Sequence, residues 1–320
     1  MKYSSIALAL LFLFGVQCIP EIKPEESVEL QQLDSLLTHL ADSSDHDLFK
    51  VHLESISMIL NAEKGISNQE TATLIALKDA FENDTLSNPS DLQSYLSRER
   101  IMILSWRSPS DDEVSFSWMK PPKDYDPENE YPLYVYLHGL WDVADEPINY
   151  MSYPFLSELN ITTAFEDGFF LSPWGRGNMW YEGQSKTDIW ESIAKLETIV
   201  NIDQGRKYLS GHSMGGYGTW LIAQESVDEW AAIGLHSAAL QYRDQKYVTS
   251  EYAQKFKEVP TYIVYGDQET WMAPIHKNVF AMLKEAGNED VKMVTFEGGH
   301  DWNNADVEAM YEWMKGFKNE

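Results

Sequence analysis

One short stretch constrains the fold more than any other. Residues Tyr208–Trp220 read YLSGHSMGGYGTW, a serine between glycines with a strand-like run before it and a helix-like run after it. The segment Gly211-His212-Ser213-Met214-Gly215 fits G-x-S-x-G. In a strand–turn–helix setting this motif forces the serine into a strained backbone and lifts its hydroxyl clear of the sheet. It also sets that hydroxyl at a helix N-terminus, where free amides and the helix dipole favour negative charge. A side chain at Gly211 or Gly215 is expected to collide with the adjoining strand or helix.

The chain around this motif supplies the matching architecture. From Arg100 onward, short apolar runs alternate with helical patterns. Strand candidates are Ile101–Trp106, Val114–Trp118, Leu133–Leu137, Phe169–Leu171, Lys207–Leu209, Ala231–Leu235, Thr261–Tyr265 and Val291–Phe296. Helix candidates are Thr187–Val200, Gly215–Gln224, Ser250–Lys257, Ile275–Glu285 and Ala305–Phe317. Near-continuous apolar strands alternating with helices predict an α/β domain over 100–320, a mostly parallel sheet covered on both faces. The first two strands follow each other without a helix, which predicts an antiparallel edge.

Residues 19–99 differ in texture. Leu30, Leu33, Leu37 and Leu40 recur at helical spacing, as do Ile56, Ile59 and Leu60, then Leu74, Leu77 and Phe81. Ser67 with Glu70 fits a capping box. The pattern predicts an N-terminal segment of three or four amphipathic helices that docks on the main domain or a partner and carries no chemistry.

The first residues, MKYSSIALALLFLFGVQCIP, combine a charged start at Lys2, an apolar core Ile6–Val16 and a cleavage-like Val16-Gln17-Cys18. This is the pattern of a secretory signal peptide over 1–18, and it predicts a secreted protein. The apolar run is too short to span a bilayer, which needs about 20 residues, so no membrane insertion is expected. Gln17 is bulky where lipid-attachment sites prefer a small residue, which makes Cys18 a poor anchor. Cys18 is the chain's single cysteine; cleavage after it leaves no thiol, disulfide or thiolate metal site. The formal net charge of −27 argues against nucleic-acid binding, because nothing offsets a row of phosphates. No metal-ligand spacing and no cofactor motif stands out. Asn83-Asp84-Thr85 and Asn160-Ile161-Thr162 are glycosylation sequons. Oligomeric state is left open.

A serine hydroxyl is a weak nucleophile without a base. Downstream of the motif, the candidate bases are His236, His276 and His300. His276 falls inside a helical pattern, and no acid-bearing strand separates His236 from the serine. His300, in Glu297-Gly298-Gly299-His300-Asp301, follows the last strand and falls at the carboxyl edge shared with Ser213. The acid is expected after Thr261–Tyr265, where both Asp267 and Glu269 could orient an imidazole; position alone does not choose. An oxyanion hole needs two backbone amides. Met214 follows the serine, and Leu140 lies in the turn His138-Gly139-Leu140-Trp141 after the strand Leu133–Leu137. His138 reads as a structural loop residue.

From about Val114 to the C-terminus, the stretches YPLYVYLHG, NIDQGRKYLSGHSMGGYGTW, VPTYIVYGDQET and FEGGHDW resemble the α/β-hydrolase superfamily in its own order. The style resembles secreted feruloyl and acetylxylan esterases and short prolyl-oligopeptidase-family hydrolases. The resemblance implies a Ser213–acid–His300 triad. It also places the acid three residues after Gly266, at Glu269, where the family more often has aspartate; that departure keeps Asp267 as a rival. It further implies cleavage of carboxylic esters, possible substrates being carbohydrate-linked, feruloyl or acetyl esters, with short peptides as the alternative. A third reading, a binding protein on the same fold without catalysis, expects a missing serine or histidine, and both are present. The chain holds 11 tryptophans. Trp141, Trp174, Trp180, Trp271, Trp302 and Tyr181 fall in loops expected to rim the carboxyl edge, where flat rings suit a sugar face or a phenolic acid.

Overall fold

The computed structural model describes residues 21–83, 101–142, 144–152, 165–240, 247–301 and 304–319. Trp302, Asn160 and the 1–18 segment lie outside the described residues. Eight strands form one sheet: β1 (Met102–Arg107), β2 (Val114–Lys120), β3 (Tyr131–Leu137), β4 (Phe169–Pro173), β5 (Ile202–His212), β6 (Ala232–His236), β7 (Thr261–Gly266) and β8 (Val291–Phe296). Their order is β1-β2-β4-β3-β5-β6-β7-β8. β1 pairs antiparallel with β2, and β2 with β4; from β4 to β8 the pairing is parallel. The expected antiparallel edge is present and includes both β2 pairings.

Strands β4, β6 and β7 are buried along their whole length, which is why they read as continuous apolar runs. β5 is longer than its apolar signal. Its first half, Ile202–Arg206, carries Asp203, Gln204 and Arg206, and the ladder with β3 shifts register between Tyr131 and Leu133. Pro132 at that point has no amide to give the ladder.

Among the described residues, three α-helices precede the sheet: α1 (Val28–Asp42), α2 (Asp47–Ala62) and α3 (Asn68–Asn83). Ser67 and Glu70 form the reciprocal capping box, with Glu70 N donating to Ser67 Oγ at 3.1 Å and Ser67 N to Glu70 Oε2 at 3.0 Å. α2 lies on the β1 edge. Ile103 N donates to His52 Nδ1 at 2.7 Å and Ser105 N to Ser55 Oγ at 2.9 Å. Two helix side chains thus satisfy edge amides that the sheet leaves open. The apolar faces of α1–α3 join the sheet in one continuous buried cluster.

The remaining α-helices among the described residues are α4 (Pro147–Ser152), α5 (Gln184–Glu197), α6 (Met214–Ala223), α7 (Ser250–Lys255), α8 (Ala273–Glu285) and α9 (Asn304–Met314). α6 is buried throughout and packs against β3, β5 and β6. From β3 the chain moves to one side to form β4, then crosses back to form β5 on the other side. The strand order therefore reverses beside β3 and β5, and the crevice beyond their carboxyl ends is where open α/β sheets place ligands.

Among the described residues, no helix is long and apolar enough to cross a membrane.

Candidate active site

Ser213 stands between β5 and α6 with φ 55° and ψ −114°. A non-glycine residue in this region costs about 1–3 kcal/mol and persists only where its surroundings hold it. They do so at three points. Ser213 N donates to His236 O at 3.0 Å, and Ser213 O accepts from Ala239 N at 2.9 Å and Tyr217 N at 3.2 Å. The glycines explain the close approach. A Cβ on Gly215 would lie 1.8 Å from Leu137 O, and one on Gly211 would lie 2.4 Å from Gly215 C. Both contacts are with backbone, so no side chain can move aside.

His300 follows β8 in the segment Gly298–Asp301 and reaches back to Ser213. Its Nε2 lies 2.8 Å from Ser213 Oγ, and its Nδ1 contacts Glu269 Oε1. An ionised carboxylate can only accept, so Nδ1 carries the ring proton and Nε2 is left to accept from the serine hydroxyl. Glu269 is only 1% exposed. Its backbone is fixed at both ends, Glu269 N donating to Gly266 O at 3.1 Å and Ala273 N donating to Glu269 O at 2.9 Å. Among the described residues its Oε2 has no hydrogen-bond partner. Asp267 points elsewhere: it is exposed, and its Oδ1 accepts from Gly298 N at 3.1 Å. Its own amide donates to Phe296 O at 2.8 Å. It ties the loop after β7 to the loop that carries His300.

A cavity of about 440 Å³ opens over Ser213. Of the aromatic residues expected at its rim, Trp141, Trp180 and Trp271 line it. Trp174 and Tyr181 do not. Trp174 stacks on Phe116 at 5.1 Å and gives its indole N–H to Ala144 O at 2.6 Å. Tyr181 is fully buried, with its hydroxyl donating to His138 O at 3.1 Å. Both serve to pack the loops beneath the rim. Leu140 also lines the cavity, half-exposed, and Met179 lies exposed in the neighbouring loop. Apart from His212 and His300, no His, Lys, Arg, Asp or Glu side chain among the described residues lines it. Met214 opens α6, so its amide is among the first-turn groups without an acceptor inside the helix. The Trp141 amide is taken by Asn178 Oδ1 at 3.1 Å; the Leu140 amide has no acceptor among the described residues.

Three contributors escaped the sequence reading. Ala239 lines the cavity beyond β6. Asn178 holds Trp141, and nothing local in the sequence points to it. His212 lines the wall beside the serine, and its place inside the motif could have flagged it. Its ring lies 4.9 Å from that of His300 and 4.6 Å from that of His236. Burial, then the neighbouring His236 and His300, push the His212 pKa well below its ordinary value, so it stays neutral. His236 and His276 are pushed down to about 3 and about 4, by burial first and by the charge of His300 next. His138 is buried between two carbonyls, with Nδ1 2.6 Å from Gly139 O and Nε2 2.9 Å from Trp174 O. Among the described residues, no group of three or more His, Cys, Asp or Glu side chains could hold a metal ion.

No protein-family model and no curated protein sequence matches the chain. Solved structures do. A ferulic acid esterase is similar at 16% identity and a TM-score of 0.54, over 68% of this chain and 98% of that one. FphF, a fluorophosphonate-binding serine hydrolase of Staphylococcus aureus, is similar at 18% identity and a TM-score of 0.54, over 67% and 98%. A thermostable esterase is similar at 20% identity and a TM-score of 0.51, over 69% of this chain but 64% of that longer one. The chain has an α/β-hydrolase fold. At these identities the likeness carries the fold and nothing about chemistry.

Proposed function

We propose that the protein is a serine hydrolase that cleaves neutral carboxylic esters, with Ser213 as nucleophile, His300 as base and acid, and Glu269 as the orienting carboxylate. One observation carries this reading: the unbroken contact from Ser213 Oγ through both nitrogens of His300 to a buried Glu269, on a strained turn at the floor of a cavity.

In the proposed reaction, Ser213 Oγ attacks the ester carbonyl carbon while His300 Nε2 takes the hydroxyl proton. The carbonyl oxygen becomes an anion and accepts hydrogen bonds from the amides of Met214 and Leu140. His300 then gives its proton to the departing alkoxide, releasing an alcohol and leaving an acyl group on Ser213. Water repeats the attack with His300 again as base, and the acid is released. Glu269 remains ionised throughout, holding Nδ1–H and stabilising the imidazolium that forms at each step.

The cavity supports the choice of substrate. Three indoles offer flat apolar faces beside Leu140, and among the described residues no Lys, Arg, Asp or Glu side chain lines the cavity to dock a carboxylate or an ammonium. That suits a neutral acyl or alcohol part with a ring face, such as a feruloyl or acetyl ester linked to carbohydrate. Export through the leader pattern at 1–18 belongs to the same proposal, and N-terminal sequencing of the mature protein checks it. The reaction class is tested by assaying the purified protein on acetyl, butyryl and feruloyl esters beside short peptide amides. Ester turnover that Ser213→Ala abolishes supports the reading; turnover of peptide amides alone, or ester turnover unchanged in Ser213→Ala, overturns it.

A further inference from the structure

Among the described residues, the two loops that frame the cavity on the β3 side have no helix or strand of their own, yet they are tied together at several points. The loop after β3 holds His138–Asp145, and the loop after β4 holds Trp174–Gly183. Asn178 bridges them through its side chain. Its Oδ1 accepts from Trp141 N at 3.1 Å, and its Nδ2 donates to Trp141 O at 2.8 Å. One amide side chain therefore pairs with both the N–H and the C=O of a single residue, as a neighbouring strand would. The assignment of oxygen and nitrogen is fixed by the partners, since the backbone N–H can only donate and the carbonyl can only accept.

The base of this clamp is itself immobilised. Asn178 N donates to Asp145 Oδ1 at 3.0 Å. Arg176, two residues earlier, gives its Nε to the fully buried Asp188 at 2.6 Å and its Nη1 to Asp111 at 2.9 Å. Arg176, Trp180 and Tyr181 all have positive φ, at 59°, 59° and 57°. Such a run of left-handed residues persists only where surrounding contacts impose it.

We infer that Asn178 is the positioning residue of the oxyanion hole, resting on the ester-hydrolase reading above. Its bonds fix the peptide planes on both sides of Trp141; the first of these carries the Leu140 carbonyl, so it anchors the C-terminal side of the Leu140 Cα, next to the Gly139–Leu140 plane that holds the donor N–H. They also occupy the Trp141 amide, while the Leu140 amide, proposed above as the oxyanion donor, has no acceptor among the described residues. Asn178 acts through Trp141 and does not touch the reacting atoms. An oxyanion donor must meet the position the oxygen takes in the transition state, so a small rotation of the Leu140 peptide costs turnover while leaving ground-state binding nearly intact.

The test compares wild type, Asn178→Asp and Asn178→Ser. The aspartate keeps the shape and the acceptor for Trp141 N but loses the donor to Trp141 O; the serine shortens the side chain and removes both bonds. Each variant is assayed for kcat and KM on an aryl ester. Each is also tested for affinity toward a trifluoromethyl ketone, whose adduct with the serine mimics the oxyanion, and toward the carboxylic acid product. Loss of a whole oxyanion donor costs about 10²–10³ in kcat, so displacing one is expected to cost on the order of 10–100-fold. The ketone should weaken in parallel, with KM and product affinity nearly unchanged. Variants that keep wild-type kcat and ketone affinity overturn the inference and leave the ester-hydrolase reading intact. Equal weakening of ketone and product also overturns it, since that marks a deformed pocket. A wild type that neither turns over esters nor binds the ketone overturns the ester-hydrolase reading and, with it, this inference.

Discussion

Replacing Glu269 by glutamine should remove most activity without harming the fold. In the proposed reaction His300 becomes an imidazolium in direct contact with Glu269. Opposite unit charges about 4 Å apart at an effective dielectric near 20 attract by about 4 kcal/mol, which is about three powers of ten in rate. Glutamine removes that attraction. Its amide can also donate to Nδ1, favouring the tautomer whose Nε2 carries a proton and cannot take one from Ser213. Together the two effects are expected to lower kcat on the order of 10⁴. Stability should move the other way. Glu269 is buried, and its Oε2 has no hydrogen-bond partner among the described residues. Removing a buried charge that is half satisfied should leave the melting temperature unchanged or raise it. Asp267→Asn is the companion variant. Asp267 is exposed and caps Gly298 N, so the change should cost at most about 1 kcal/mol and leave most activity. Steady-state kinetics and thermal melts on the two variants decide. If Asp267→Asn lost activity at full stability while Glu269→Gln stayed active, the reasoning would be refuted and the carboxylate would be Asp267.

Three further predictions follow from the geometry. In Gly215→Ala the new Cβ meets Leu137 O at 1.8 Å and Leu137 C at 2.4 Å; a loss of about 1–3 kcal/mol or more in chemical denaturation is expected, and wild-type stability would contradict the packing argument. His236 and His276 are depressed to about 3 and about 4 from 6.5, so below pH 6.5 the unfolded chain takes up protons that the folded chain refuses. Stability should therefore fall as pH drops from about 6.5 toward about 4, His276 alone contributing about 3 kcal/mol at the low end. His276→Phe should flatten the melting-temperature profile in that window, and an identical slope would contradict the assignment. His52→Leu leaves the Ile103 amide at the β1 edge without its acceptor; a loss of about 1–3 kcal/mol is expected, and an unchanged melting temperature would show that α2 does not cap the edge.

What could be read from the sequence follows from how local each signal is. The strand–turn–helix around Ser213 is contained in 13 residues, YLSGHSMGGYGTW, and both the turn and the glycine contacts were foreseeable from it. His300 was reachable by elimination, because only its position follows the last strand. Glu269 and Asp267 share one loop, and what separates them is the burial of Glu269 and its contact with His300, 31 positions further on. The aromatic residues divide for a similar reason. Tyr181 sits in a loop at the carboxyl edge but turns inward, so close to α6 that a Cβ on Gly218 would lie 2.5 Å from its ring. No pattern in the sequence gives that direction, which the left-handed residues of the loop impose. The bonds from Asn178 to Trp141 and from α2 to β1 join residues 37 and about 50 positions apart, and they follow from the folded chain alone.

The central claim, that Ser213 is the nucleophile, is tested most directly by labelling the protein with a fluorophosphonate and mapping the modified peptide. A base-activated serine displaces fluoride from the reagent and keeps the phosphonyl group. The account predicts one label, on Ser213, absent from Ser213→Ala. A label on any other serine, or none on protein that turns over esters, would contradict it.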